Sequence, residues 1–445
     1  MAPSESPTHL SLSADCLLVE GASRGALYDL ASGDVYSIDP VGVAVVRGCQ
    51  QGLPIARLDK LVPEEGQPLI AGFLESMASS GLASFTDGPR PQPALEPAPH
   101  HETLDFIWLE VREDCNLRCR HCYCMSTSRG TAEHRLEPEE WIRVMEQAYD
   151  LGCRSLQYIG GEPLLMGDRL FGLAARAREI GFEKQAVFTS LSFLEERWID
   201  RIEDLGMEIA CSIYSKQPEI HDLVTTKKGS FERTITNVHR LKERGIQPRF
   251  AVTVMKHNQD VVEETMQFLR DLGMEHPGFD LVRPSGRGND AELLPDKLAG
   301  KRAYRTRAEF LQTDRGTFMR RLGGNSCWQG KIAVSSIGDV HPCIMQRDDP
   351  AGNVRSEPLA SIIAGGIRRY WDLSLDSIEV CRDCEYRYAC HDCRPVAYGP
   401  TGSLTAKSLY CSYDPYQGEW IDRDLVPLKR PTSDSRPASG RSVAT

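Results

Sequence analysis

Apolar positions follow two different rhythms along this chain. The runs DFIWLEV, SLQYIG, QAVFTS, EIACSIY, RFAVTVM and FDLVRP are short, apolar and rich in β-formers, which predicts strands. Between them, EPEEWIRVMEQAYDLG, RLFGLAARAREIG, SFERTITNVHRLKERG and DVVEETMQFLRDLG space apolar residues three and four apart. That spacing predicts amphipathic helices, and each stretch closes on Gly, a helix stop. Strands alternating with helices imply an α/β fold with a parallel sheet covered by helices. Six units are too few to close an eight-stranded barrel, so a partial (β/α)6 barrel is expected, open on one side, with its active edge at the strand C-termini.

The flanks read differently. HLSLSADCLLVEG and ALYDLASGDVYSID look like strands broken by Gly and Ser. PVGVAVVRGC, IARLDKL and PLIAGFLESMASSG look helical, with Leu69, Phe73 and Met77 along one face. A small winged-helix-like α+β module over residues 1–86 fits this pattern. DGPRPQPALEPAPHH, with five prolines in fifteen positions, marks a semi-rigid linker over 87–102. The barrel core is expected over 103–325. A loop-rich, cysteine-rich domain with little periodicity follows over 326–420, and a disordered tail over 421–445.

Composition narrows the chemistry. The formal charge of -11 over 445 residues argues against a nucleic-acid partner, which needs clustered Lys and Arg. No apolar run of membrane-spanning length occurs, and MAPSESPTHLSLSADC lacks the basic-then-apolar layout of a signal peptide. A cytoplasmic protein with no membrane partner is expected. Fifteen cysteines in such a chain point to metal ligation or thiol chemistry, not to a disulfide framework.

EDCNLRCRHCYC, directly after the first barrel strand, holds Cys115, Cys119 and Cys122 in a C-x3-C-x2-C pattern. Three thiolates can hold three irons of a [4Fe–4S] cluster and leave the fourth open for a ligand. A zinc site completed by His121 or Cys124, or a cluster closed by Cys124, satisfies the same residues.

The segment resembles the signature of radical S-adenosylmethionine (radical SAM) enzymes, with His121 at the usual aromatic position. The resemblance implies that the open iron binds the methionine moiety of S-adenosylmethionine. It also implies reductive cleavage to a 5′-deoxyadenosyl radical, driven by an external electron donor. Gly160, Gly161, Glu162 and Pro163 match the family's GGEP, ending the second barrel strand. The glycines would admit a close approach to the ligand, and Glu162 would accept from its ammonium group. Ser212, ending the fourth strand, stands where relatives place a polar contact to the ribose or carboxylate. Thr189 and Ser190 occupy the place of a TNG-like turn but read TSL. Arg283 in LVRPSGRG has the reach to meet a carboxylate.

A second cysteine field reads C-x10-G-x4-C, then C-x2-C-x5-C-x2-C, then a last Cys. Such paired knuckles chelate zinc or iron–sulfur centres. The pattern resembles the SPASM extension of radical SAM enzymes, although Cys390 and Cys393 are one residue closer than in the family. The resemblance assigns Cys327, Cys343 and Cys393 to one auxiliary [4Fe–4S] cluster. It assigns Cys381, Cys384, Cys390 and Cys411 to another, making three clusters in all. Cys16, Cys49, Cys153 and Cys211 read as core residues, and Cys124 stays open.

SPASM enzymes divide mainly into peptide maturases and sulfatase activators. Ile344 stands where the activators usually have Asp. The N-terminal module resembles PqqD-like leader-recognition domains, where a leader strand could add to a sheet edge. The implied function is a maturase that installs an oxidative cross-link on a ribosomally made precursor peptide. A peptide epimerase is the nearest alternative, and a zinc-binding peptide scaffold a more distant one. The C-terminal segment looks like maturases that often work beside an ATP-grasp ligase. No residue is singled out as catalytic base.

Overall fold

The computed structural model describes residues 7–90, 101–129, 134–295, 312–408 and 411–420. Most of the expected linker and all of the expected tail over 421–445 lie outside the described residues.

In the N-terminal module, β1 (His9–Leu12) pairs with β5 (Ala83–Thr86), and β2 (Cys16–Glu20), β3 (Gly25–Asp29) and β4 (Val35–Ile38) form an antiparallel meander. Two helices, α1 (Pro40–Gln50) and α2 (Ile70–Ser79), complete it. Asp39 caps α1 by accepting from the Gly42 N–H at 2.8 Å, and Pro40 supplies the fixed φ of a first helical turn. IARLDKL forms a 3-10 helix, not an α-helix. The buried stripe of α2 is Ile70, Leu74 and Met77; Leu69, expected on that face, is 64% exposed. It precedes the helix, so the face that meets the core is rotated by one residue.

The barrel follows as β6 (Phe106–Arg112), α3 (Pro138–Asp150), β7 (Ser155–Gly160), α4 (Asp168–Ile180), β8 (Lys184–Thr189), α5 (Glu196–Asp204) and β9 (Glu208–Ser212). Next come α6 (Pro218–Thr225), α7 (Ser230–Glu243), β10 (Arg249–Ala251), β11 (Thr253–Val254), α8 (Val262–Asp271) and β12 (Asp280–Leu281). Strands β6 to β10 are parallel in sequence order. RFAVTVM, expected as one strand, splits at Val252, and β11 pairs with β12 in a separate parallel ribbon.

Helix α3 shows why the helices cover this sheet. Trp141, Val144, Met145 and Ala148 are buried at i, i+3, i+4 and i+7, one apolar stripe. Fully burying a side chain such as Val144 or Met145 contributes about 1.5–3 kcal/mol. A capping box starts the helix, with Glu140 accepting from the Glu137 N–H at 2.8 Å. On β6, Ile107, Leu109 and Val111 join the core under the helices. Alternation therefore turns Trp108, Glu110 and Arg112 to the barrel interior.

The segment after Ser326, expected to lack periodic structure, holds a strand that the barrel needs. After α9 (Arg315–Gly323), β13 (Lys331–Val334) pairs in parallel with β6, Lys331 opposite Phe106 and Val334 opposite Leu109. Then β14 (Asp339–His341) and β15 (Gly352–Asn353) extend the same sheet to eight strands. The chain continues through α10 (Leu359–Ile362), α11 (Arg368–Trp371), α12 (Arg394–Thr401), β16 (Tyr413–Asp414) and β17 (Glu419–Trp420).

The N-terminal meander rests on this last region. Val19, Ala26, Tyr28 and Val35 share a buried cluster with Phe318, Tyr388 and Ala389. Tyr28 donates to the Glu385 carbonyl at 2.9 Å, and Arg387 to the Glu20 carbonyl at 2.9 Å.

Candidate active site

The loop after β6 is fixed from several sides. The Cys115 N–H donates to the Thr127 carbonyl at 3.0 Å, closing the loop on itself. The Arg118 and Arg120 N–H groups donate to the Thr225 and Val224 carbonyls at the end of α6, at 3.2 and 2.9 Å. Cys115, Cys119 and Cys122 come within electrostatic reach of one another. Burial pushes the Cys119 thiol up to about 12. Cys122 is pulled down to about 6, first by a hydrogen bond from Cys124, whose sulfur lies 3.8 Å away.

The thiols of Cys115 and Cys119, whose proton affinity is raised, would ionise against a positive partner such as a metal centre. Among the described residues, no three His, Cys, Asp or Glu side chains are close enough to hold a single metal ion. His121 takes an aromatic role, its ring packing edge-on at 4.9 Å against Tyr214. Tyr214, unremarked in the sequence, lies beside Cys119 and Ser212; an aromatic two residues past a strand end was the available signal.

The GGEP turn is built against this loop. A Cβ on Gly160, at φ +122°, would stand 2.3 Å from the Arg112 carbonyl oxygen. On Gly161 it would stand 2.1 Å from that of Asp114. Neither fits, so only glycines let the turn pack here. The Gly161 and Glu162 N–H groups donate to those same carbonyls at 2.7 and 3.0 Å. The close approach expected toward a ligand is thus made first toward the cysteine loop. Pro163 is buried at the start of a short 3-10 turn.

Glu162 is held from several sides. It is fully buried and accepts from Thr189 Oγ1 at 2.6 Å, Ser190 N at 2.9 Å, Ser190 Oγ at 2.7 Å and Leu164 N at 3.2 Å. These four bonds tie the end of β7 to the end of β8. Burial still raises its proton affinity. Thr189 and Ser190 therefore serve Glu162 in this arrangement.

The second cysteine field sorts into two groups. Cys327 and Cys343 each feel Cys393, at the start of α12. The shorter spacing thus keeps Cys393 beside its expected partners. Arg283 donates to Cys393 and reaches Asp280 at 3.1 Å; it meets a carboxylate of this chain. Cys381, Cys384, Cys390 and Cys411 line one cavity with Leu375, Val380 and Tyr413. Burial pushes Cys343 and Cys381 each up to about 12.

Between the two regions lies a buried ion pair that the sequence reading missed. Arg347, four residues past Cys343, donates to both oxygens of Glu110. A charged residue inside the apolar run DFIWLEV was the signal for it. Cys16, Cys49, Cys153 and Cys211 are buried, their thiols held protonated by burial. No described helix is long and apolar enough to cross a membrane.

Residues 109–271 match the family model of the radical SAM superfamily, and residues 327–385 that of the SPASM iron–sulfur cluster-binding domain. An AdoMet-dependent heme synthase of Methanosarcina barkeri is 27% identical over 343 residues, 70% of this chain and 97% of that protein. The antilisterial bacteriocin subtilosin biosynthesis protein AlbA of Bacillus subtilis is 26% identical over 279 residues, 60% of each. Among solved structures, Streptococcus suis SuiB bound to precursor peptide SuiA superposes with a TM-score of 0.54 at 16% identity. That fold likeness covers 90% of this chain and 98% of SuiB.

Proposed function

We propose that this radical SAM enzyme with its SPASM domain is a maturase of a ribosomally synthesised peptide, most simply one that forms an oxidative cross-link. The observation that carries the reading is the extent of the likeness. The fold likeness to peptide-bound SuiB takes in 90% of the chain, more than the barrel and cysteine-rich regions span by themselves. A leader strand adding to an edge of the N-terminal module would gain main-chain hydrogen bonds there.

In this reading Cys115, Cys119 and Cys122 hold the initiating cluster. Cys327, Cys343 and Cys393 hold one auxiliary cluster, and Cys381, Cys384, Cys390 and Cys411 the other. When bound, the clusters and S-adenosylmethionine would supply abstraction of one hydrogen atom from the peptide and an acceptor for the electron released as a second hydrogen leaves as a proton. The chain's own residues hold that geometry. Gly160 and Gly161 press the second strand's turn onto the cysteine loop. Glu162 fixes the end of β8 beside it, and Ser212 with Tyr214 borders Cys119. An external donor supplies the initiating electron.

The heme synthase relatives favour a second reading, a small-molecule substrate in the same barrel. One experiment separates the two. Anaerobically reconstituted protein is given dithionite, S-adenosylmethionine and a leader-bearing peptide encoded beside it. Peptide-dependent 5′-deoxyadenosine together with a peptide lighter by two hydrogens supports cross-linking. Solvent deuterium entering a peptide of otherwise unchanged mass supports epimerisation. Turnover with a tetrapyrrole and none with any peptide supports the second reading.

A further inference from the structure

The turn that follows β12, Ser285–Gly288, folds over the cysteine loop, and its one charged residue does more there than close a turn. A Cβ on Gly286, at φ +55°, would stand 2.1 Å from the Tyr123 carbonyl oxygen. On Gly288 it would stand 2.4 Å from that of Arg283. With glycine at both places, Arg287 between them reaches the loop by three routes. Its backbone N–H donates to the Cys122 carbonyl at 3.0 Å. Its Nε donates to the Cys119 carbonyl at 2.8 Å, and its Nη1 to the Ser126 carbonyl at 3.0 Å.

One nitrogen remains. Nη2 is buried and has no hydrogen-bond partner in the protein. A buried donor left unpaired is costly, more so when charged. A role confined to bracing the loop would need only the two nitrogens already engaged. The guanidinium carries the turn's only positive charge. It lies within electrostatic reach of Cys119 and Cys122. The potential of an iron–sulfur cluster depends on local charge and on hydrogen bonds to its sulfurs.

We propose that Arg287 is a positioning residue for the cluster held by Cys115, Cys119 and Cys122: it clamps the loop at three points and sets a fixed positive charge, with Nη2 as donor, against the cluster's sulfurs, raising its reduction potential. The inference rests on the reading that those thiols hold a cluster. Removing the charge makes the reduced, more negative cluster harder to form.

The test is an anaerobic redox titration of the full chain, following the EPR signal that S-adenosylmethionine perturbs, with iron content measured in parallel. Wild type is compared with Arg287→Gln and Arg287→Lys. The expected result is a midpoint moved to more negative potential in the Gln variant and largely restored by Lys. A Gln variant with full iron and the wild-type midpoint overturns the proposal. So does equal iron loss in both variants with an unmoved midpoint in whatever cluster remains, because that is a brace alone. A wild type with iron but no signal responding to S-adenosylmethionine sinks the underlying reading as well, and is told apart from the other outcomes before any variant is examined.

Discussion

Glu110 and Arg347 join the barrel's first strand to the loop after Cys343 through a single nitrogen, Nη1, which stands 2.5 and 2.6 Å from the two carboxylate oxygens. Glu110 is almost wholly buried, so removing either partner strands a charge in the interior. Arg347→Met or Glu110→Gln is expected to cost about 3–5 kcal/mol, and the double substitution markedly less than the sum. Denaturant midpoints of anaerobically purified variants measure this. Additive losses would mean that the two side chains do not act as a pair.

Gly161→Ala tests whether the second strand's turn shapes the cysteine loop. The added Cβ meets backbone atoms that cannot swing aside, so under the proposed function the variant is expected to lose most of the iron assigned to Cys115, Cys119 and Cys122. Its helical circular dichroism should stay unchanged. Gly172→Ala, on α4 with nothing within 4 Å of the new carbon, serves as the control. It should be neutral or more stable by up to about 1 kcal/mol.

The grouping of the remaining thiols predicts a pattern of additivity. Cys390→Ala is expected to remove roughly four irons, one cluster's worth. Adding Cys381→Ala should then remove little more, because both side chains line one cavity. Adding Cys327→Ala instead should remove a second increment, as independent sites do. Iron and sulfide analysis reads the result, and a graded loss for every pair would contradict two separate groups.

His221 gives the fold a pH dependence. It is buried with its ring against Tyr214 and Phe231. Its pKa is lowered to about 4, chiefly by burial, with Asp222 pulling the other way. The unfolded chain titrates near 6.5 and therefore binds more protons between the two values. Stability should be greatest above about pH 6.5 and fall toward pH 4, by up to about 3 kcal/mol. Hydrogen exchange in α6 and α7 should speed up relative to the core between pH 7.5 and 5. His221→Asn should remove that acceleration.

The sequence made the barrel legible because its strands and helices repeat a pattern set by burial, and Trp141 to Ala148 carry that pattern without ambiguity. The three-cysteine loop was legible because spacing alone brings thiols together on a short segment. Legibility failed where a residue's partner lies far along the chain. Nothing near Glu162 announces that Thr189 and Ser190 will donate to its carboxylate, or near Glu110 that Arg347 will neutralise it. Strand β13 escaped notice for a different reason. Its four residues match the apolar runs of the barrel, but the cysteines around it drew the whole region into one loop-rich reading.

That strand has a consequence for how the protein is made. The β6 edge next to β13 stays unpaired until Lys331–Val334 leave the ribosome. At about 5–20 residues per second that wait is on the order of 10–45 s, during which a strand of the central sheet is open to foreign chains. We predict that nascent chains stalled before Cys327 bind holding chaperones and that chains extended past His341 release them, which ribosome-bound pull-down would read; equal capture at both lengths would refute it. The cysteine-rich segment would then be the piece whose arrival ends the aggregation-prone stage of synthesis.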